Sequence, residues 1–416
     1  MDKIDTDILI VGGGAAGMSA ALAASQHSDF RISVVDDNPQ LGGQIWRSEM
    51  GKIKSPDARK LIEKIKENRI KILTGTQVYA QEDDTCLLAE TRRGTTNIHF
   101  TKLILATGAR ERFLPFPNWT LPNIFGAGGL QALVKNGLSV ENKRVIVAGT
   151  GPLLLAVAAY LKSKGANVLF IAEQASRGKL LKFGVGLWRN PNKLFQAVGL
   201  RSRLFGVKYM TDCFITSAKG NGKLEAINLT RHGKNWLVEC DYLACGFHLV
   251  PNIELASLIK CKVKSGNVVV NEYQETSVAD VFCAGEPTGI EGVDLSLLEG
   301  KIAGLSAVGK KEEVRKLLSK CIKLRRFADN LNTAFSLRDE LKSLSKSETI
   351  VCRCEDVSFD RLKAFSSFRE AKMQTRCGMG ACQGRICGAA TKVLFDWENT
   401  SFRPPIFPVK LGNLTE

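Results

Sequence analysis

The stretch from Thr6 to Asp36 leaves few folds open to this chain. Ile8-Leu9-Ile10-Val11 is an apolar run of strand length. It is followed by the turn Gly12-Gly13-Gly14-Ala15-Ala16-Gly17, a small-residue helix to Ser25, and a second strand from Arg31 to Val35 that ends in Asp36. Strand, glycine turn, helix and strand in this order make a parallel βαβ unit built for a dinucleotide. Gly12 permits the tight turn, Gly14 lets backbone amides approach a pyrophosphate beside the small Ala15 and Ala16, and Gly17 lets the helix pack close on the strand. The helix N-terminus offers unpaired N–H groups and the positive end of a dipole to phosphates. Asp36 is placed to accept hydrogen bonds from both ribose hydroxyls and would repel a 2′-phosphate; Asp37 stands beside it at the same edge. The bland alternative is a glycine-rich surface loop, and it does not account for the flanking strands and the acid.

A chain of 416 residues is expected to hold two or three domains with ample cores. No uninterrupted apolar run is long enough to span a bilayer, and the first residues lack a basic segment followed by an apolar one. A cytoplasmic location is the expectation, with peripheral membrane contact left open. The formal charge of +16 raises nucleic acid as a ligand. No nucleic-acid motif accompanies it, and no aromatic residues interleave with the basic ones, so a solvated basic face or an acidic partner subunit is expected instead.

Further along, Asp37 to Arg47 reads as an irregular loop lying along the cofactor, with Gly43 and Gln44 reaching toward a flavin. Trp46 in that loop is as readily a packing residue. Lys102 to Ala109 is a buried strand whose Thr107-Gly108 turn suits a second close approach of backbone to cofactor. A second βαβ unit begins near Lys143: the strand Arg144 to Ala148, the turn Gly149-Thr150-Gly151-Pro152-Leu153-Leu154, a helix to Lys164, and the strand Asn167 to Ile171 followed by Glu173. Gly149, Gly151 and Glu173 suit a second nucleotide. Leu154 at the third glycine position must push the helix away or pack beneath it, so a vestigial domain is the competing reading. Residues 178–207 read as a basic, irregular loop that covers a crevice or faces a partner. Short strands are expected over 208–245. Near Asp280 cofactor geometry returns: a short strand ends in Gly285-Glu286, where the acid can bond a ribityl hydroxyl, and a helix follows from about Asp294 to Val308. A salt-bridged surface glutamate is the alternative there. His27, His99, His232 and His248 are scattered and expected to be structural, and no Ser–His–Asp order or histidine metal cluster presents itself.

Gly12 to Asp36, Thr107-Gly108 and Ala279 to Glu286 together resemble the FAD contacts of the two-dinucleotide-domain flavoprotein disulfide reductase superfamily. The resemblance implies an α/β protein with two Rossmann-like dinucleotide-binding domains, the second inserted in the first, plus a small C-terminal Cys-rich helical domain. FAD would then lie on residues 1–113 and 247–308, and a nucleotide (NAD(P), ATP or ADP) on 114–246. A helical linker, 309–345, would lead to a metal-binding domain at 346–400 and a tail at 401–416. The family's usual aspartate is Glu286 here, and the redox-active Cys-x-x-Cys of thioredoxin reductases is absent. More narrowly, Gly42-Gly43-Gln44-Ile45, Ala106 to Arg112 and the cysteine tail resemble the alpha-type subunits of heteromeric amine and amino-acid dehydrogenases. That group includes opine oxidases, proline and hydroxyproline dehydrogenases, the cyanide-forming glycine oxidase and sarcosine oxidase alpha. It implies a beta-type flavoprotein as a second subunit, together with a small ferredoxin-like subunit and FMN at a subunit interface.

Twelve cysteines divide unevenly. Seven are scattered as small apolar residues, and five fall between Cys352 and Cys387. In an extended Cys352-Arg353-Cys354 the two thiols face one side and can hold one metal centre. Gly378, Gly380 and Gly384 let backbone amides turn toward sulfur, and Arg353, Arg376 and Arg385 can offset thiolate charge. Structural zinc is the alternative, although paired Cys-x(2–4)-Cys knuckles are its usual form. The tail resembles the bacterioferritin-associated-ferredoxin-like 2Fe-2S domain. That likeness implies Cys352, Cys354, Cys382 and Cys387 as ligands, with Cys377 spare or an alternative. Three functional readings stand: an electron-transfer subunit of a C–N-oxidising dehydrogenase, a self-sufficient NAD(P)H-dependent FAD oxidoreductase reducing its own cluster, and a redox-silent nucleotide-binding scaffold.

Overall fold

The computed structural model describes residues 2–189, 191–399 and 401–414, except for the side chains of residues 189 and 192. The chain divides into two compact units: residues 1–110, 250–329 and 400–416, and residues 111–249 and 330–399.

The first unit is built on one sheet. Its central strand, Asp2–Val11, lies parallel to Ile32–Asp36 on one side and Gly94–Leu105 on the other, and Lys71–Thr74 extends the parallel run beyond Ile32–Asp36. Gly94–Leu105 changes partner along its length: its first half pairs antiparallel with Cys86–Thr91, and Leu103–Leu105 pairs parallel with Val281–Cys283. The late return of the chain at Val281 is what brings Gly285 to the same sheet edge as Gly12. Ile8, Leu9, Ile10, Leu103 and Ile104 are fully buried, as expected for strands covered on both faces. Helices Ala15–Ser25 and Val293–Ala307 cross at small residues. A Cβ on Gly300 would strike the carbonyl of Ala16, and one on Gly304 the carbonyl of Ala20. Nothing larger than glycine permits that approach.

The second unit repeats the theme. Five parallel strands run in the order Lys208–Met210, Asn167–Glu173, Arg144–Thr150, Tyr242–Phe247, Ile124–Gly126. An antiparallel three-stranded meander (Cys213–Lys219, Ala226–Arg231, Lys234–Glu239) supplies much of the apolar cover. Leu154 is fully buried and packs beneath its helix, against the position of Gly246. The glycine missing from the second turn thus has its counterpart on the neighbouring strand. Residues 178–207 are not an irregular loop: they lie mostly in two helices, Arg177–Gly186 and Pro191–Arg203, joined by the short turn Leu187–Arg189. Leu180 and Phe183 pack on Ala175, Ala334 and Phe335, and Leu204 is fully buried; these anchors hold helices that four glycines would otherwise weaken.

The cysteine-rich segment belongs to this second unit. A two-strand ladder, Ile350–Cys352 with Val357–Ser358, meets the helices Phe368–Thr375 and Cys387–Phe395. Val351, Val357, Leu362 and Phe368 form its core, and the rings of Phe359, Phe395 and Trp397 stack in sequence, with centroids 5.2 and 4.5 Å apart.

Candidate cofactor cradle and cysteine centre

In the first unit, sequence segments far apart converge on the N-terminus of the helix Ala15–Ser25. Gly12, at φ 111°, lies so close to the carbonyl of Ala106 that no Cβ fits. The Gly13 N–H donates to Asp36 Oδ2 at 2.6 Å, and the Asn38 N–H to Asp36 Oδ1 at 2.8 Å. Oδ1 also accepts from the Asn38 side-chain amide at 2.9 Å, so Oδ2 is the oxygen that keeps a lone pair for a ribose hydroxyl. Asp37 is exposed and accepts from the Asn38 amide. Gly43 faces Gly14 closely enough that an added Cβ would meet the Gly14 Cα at 3.0 Å, and Gln44 beside it is exposed. Trp46 packs on the core. Gly285 abuts Ala16. No side chain caps the helix at Gly14, so its first N–H groups are left to an anion.

The Thr107-Gly108 turn is held by a residue that sequence reasoning missed. Asn252 donates to the Thr107 carbonyl at 2.8 Å, accepts from Thr107 Oγ1 at its own carbonyl, and gives its N–H to Gly108. Arg110 reaches Asn252 Oδ1 and pairs with the buried Glu254 at 2.9 Å. Glu286 accepts from the Gly292 N–H at 3.0 Å through Oε1, while its Oε2 is buried with no partner. A ligand hydroxyl would satisfy that oxygen; burial pushes the carboxyl up to about 6. Glu291, also missed, has a buried unpartnered Oε2 and is pushed up to about 7 by burial and by the nearby Glu299 carboxylate. Glu299 itself is held by Arg325 at 2.7 Å and by Gly285 N–H at 3.0 Å.

In the second nucleotide fold the acid is held by a similar set of donors, and the difference lies in what covers it. Glu173 is fully buried and accepts from Gly151 N–H, Ala175 N–H and Tyr209 hydroxyl at 2.9, 2.9 and 3.2 Å. The chain itself then crosses the ends of these strands. Thr150 Oγ1 donates to the Phe335 carbonyl at 3.1 Å. Gln174 donates to Thr150 Oγ1 at 2.9 Å and to the Ser336 carbonyl at 3.0 Å, and it accepts from the Arg338 N–H at 3.0 Å. Arg338 Nη1 closes the strap on the Gln174 carbonyl at 3.2 Å. Residues 335–338 therefore lie over Thr150 and Gln174, the edge along which a nucleotide ribose would run.

Three of the five tail cysteines meet closely, and they include Cys377, which the resemblance left spare, but not Cys354 or Cys382. The sulfurs of Cys352, Cys377 and Cys387 lie within 4.8 Å of one another and are buried. Cys382 bonds to Cys387 and to Cys354, and Cys354 is exposed, so all five thiols form one connected group with Cys387 at its centre. Donation from the Cys377 and Cys387 thiols, helped by the N–H groups of Gly378 and Glu355, draws Cys352 down to about 2. Cys387, with the N–H groups of Ile386 and Gly384, draws Cys382 down to about 5. Cys377, the donor to Cys352, is pushed up to about 12. A cation displacing the shared protons is what such a set accommodates, and backbone N–H groups aimed at sulfur are the surroundings of an iron–sulfur centre. Gly380 is required because a Cβ there would strike Cys354. Of the three arginines, Arg376 is spent on Glu355 at 2.7 Å, while Arg353 lines a cavity of about 250 Å³. Cys352, Cys354, Cys382 and Cys387 line that cavity together with Phe113, Trp119 and Phe125. Its apolar wall lowers the local dielectric at the thiols.

Comparison with known proteins agrees with this architecture. The chain is 26% identical to hydrogen cyanide synthase subunit HcnB of Pseudomonas protegens, over 91% of this chain and 89% of that protein. It is 28% identical to an opine oxidase subunit of Rhizobium meliloti, over 99% of this chain and 87% of the relative. The crystal structure of L-proline dehydrogenase from P. horikoshii superposes with a TM-score of 0.69 at 21% identity, covering all of this chain and 80% of that one. Relatives of this kind make the chain an FAD-dependent oxidoreductase whose counterparts are subunits of multi-subunit enzymes. Residues 6–300 match the pyridine nucleotide-disulphide oxidoreductase family, and the chain belongs to it.

Proposed function

We propose that this chain is the flavin- and iron–sulfur-carrying subunit of a heteromeric cytoplasmic dehydrogenase whose beta-type flavoprotein partner oxidises the C–N bond of an amino acid or opine. Bound FAD would supply two-electron acceptance, and a thiolate-held 2Fe-2S centre one-electron transfer. Gly12, Gly14 and Gly17, with Ala15 and Ala16, would seat the pyrophosphate. Asp36 and Asp37 would face the ribose, and Gly43, Gln44, Thr107, Gly108, Gly285 and Glu286 the ribityl and ring end. Cys352, Cys354, Cys382 and Cys387 are the proposed ligands, and Cys377 the one alternative.

The observation that carries this reading against an NAD(P)H-dependent reductase is the strap over the second fold. Gly149, Gly151 and Glu173 are there, and Glu173 holds two backbone N–H groups and Tyr209 much as Asp36 holds two N–H groups and the Asn38 amide; what differs is the segment lying over them. Residues 335–338 hold Thr150 and Gln174. A nucleotide would have to displace these contacts, so electrons are expected to arrive from the partner subunit. The test is anaerobic absorption spectroscopy of the purified chain. The flavin band should persist on adding NADH or NADPH, and should bleach when the partner subunit and an amino-acid or opine substrate are added. Stoichiometric bleaching by NAD(P)H alone would favour the self-sufficient reductase. A colourless protein would favour the redox-silent scaffold.

A further inference from the structure

The helices Arg177–Gly186 and Pro191–Arg203 carry a chemistry that neither the cofactor cradle nor the cysteine centre uses. Between residues 176 and 206 the sequence holds seven Lys and Arg and no Asp or Glu. In the same segment Val185, Trp188, Phe195 and Phe205 are 78%, 83%, 74% and 85% exposed, and Leu181 and Val198 are also exposed. These are six of the sixteen exposed large apolar side chains among the described residues, so the concentration is local and not general surface character.

Both helices are attached to the fold by other faces. Leu180 and Phe183 pack on Ala334 and Phe335, Leu204 is buried, and Lys162 donates to the Phe205 carbonyl. The spacing of Leu181 to Val185 and of Phe195 to Val198 puts each pair on one outward stripe. Their apolar area therefore does nothing for the folded chain.

We propose that this helical pair docks on the surface of an anionic lipid bilayer, with Trp188, Phe195 and Phe205 entering the headgroup boundary and the exposed Arg177, Lys182 and Arg203 pairing with lipid phosphates. Charge complementarity decides the occupant. Aromatic side chains and arginine suit protein interfaces and membrane surfaces alike; the lysines among them and the lack of any acid are what favour a lipid surface. Each such cation is favoured beside an anionic leaflet, and long basic stems can lie along the apolar boundary with their charges in water. No helix among the described residues is long and apolar enough to cross a membrane, so the contact is one of surface docking. This inference goes beyond the electron-transfer reading and stands without it.

The full-length chain, with its flavin, should be sedimented with extruded vesicles of phosphatidylglycerol and phosphatidylcholine, and with vesicles of phosphatidylcholine alone. The native chain is expected to bind the anionic vesicles at least tenfold more strongly than the neutral ones, and less as salt is raised. The triple variant Trp188→Ser, Phe195→Ser, Phe205→Ser should lose at least tenfold of that binding with its flavin absorbance intact. Lys182→Glu with Arg203→Glu should lose a comparable amount without removing any apolar group. Absence of binding to anionic vesicles at low salt would overturn the proposal. So would unchanged binding in both variants, or a triple variant that still binds vesicles but no longer retains its partner subunit.

Discussion

Gly300→Ala adds one methyl group at the point where the helix Val293–Ala307 meets the first turn of the phosphate-binding helix. The new Cβ would lie 2.8 Å from the Ala16 carbonyl carbon and 2.9 Å from its Cα, with the carbonyl oxygen closer still. Ordinary contact starts near 3.4 Å, so the helices must part by about 1 Å, in a range where overpacking costs about 1–3 kcal/mol. For a folding unit of this size that corresponds to a fall in Tm of roughly 3–10 °C. Ala16 also touches Gly285, so the displacement moves the N–H groups offered to the pyrophosphate relative to the strand end that carries Glu286. FAD should bind about tenfold more weakly, or further, since each such factor needs only ~1.4 kcal/mol. Differential scanning fluorimetry and flavin absorbance per chain measure the two effects, with the exposed neighbour Lys301→Ala as control. Native melting and native flavin content in Gly300→Ala would refute the close helix crossing and its link to the cradle.

Asp36→Ala leaves the Gly13 and Asn38 N–H groups without their acceptor. Each buried loss is worth about 1–3 kcal/mol, so FAD affinity by fluorescence titration should fall at least tenfold. Glu291 is raised from 4.5 to about 7 in the fold, so the folded state binds its proton more tightly than the unfolded chain does. Its contribution is full below pH 4.5 and is lost as pH rises through 7. Glu291→Gln should flatten the decline of stability between those limits by roughly 1–2 kcal/mol, discounted because the side chain keeps some contact with water; denaturant unfolding at each pH reads it. Cys352→Ser and Cys387→Ser should abolish bound iron by colorimetric assay. Cys354→Ser and Cys382→Ser should do so as well, whereas Cys377→Ser should retain it; the reverse outcome for Cys354 and Cys377 would exchange their roles.

What was legible in the sequence was whatever the chain states locally. Gly12 to Asp36 carries its own strand, turn, helix and acid, and the tail cysteines lie near enough in sequence for their spacing to bring them together. Long-range complements were silent. The strap at 335–338 bonds residues more than 160 positions away through two backbone carbonyls, one amide and the Arg338 guanidinium, and one arginine among many does not announce that. Gly246 compensates for Leu154 from another strand, and Asn252 holds Thr107 across 145 residues. The helices at 177–203 were hidden by Gly178, Gly184, Gly186 and Gly199, and by outward apolar residues that blur the amphipathic pattern from which a helix is read. Glu291 looked like one acid among many; only its burial beside Glu299 distinguishes it.

The central claim is that one chain holds both a flavin and an iron–sulfur centre. Anaerobic purification followed by flavin, iron and acid-labile sulfide determination on the same sample tests it most directly. The account predicts about one FAD, two irons and two sulfides per chain, with iron and sulfide both lost in Cys387→Ser while the flavin remains. A chain with zinc in place of iron, with no labile sulfide, or with no flavin would contradict it.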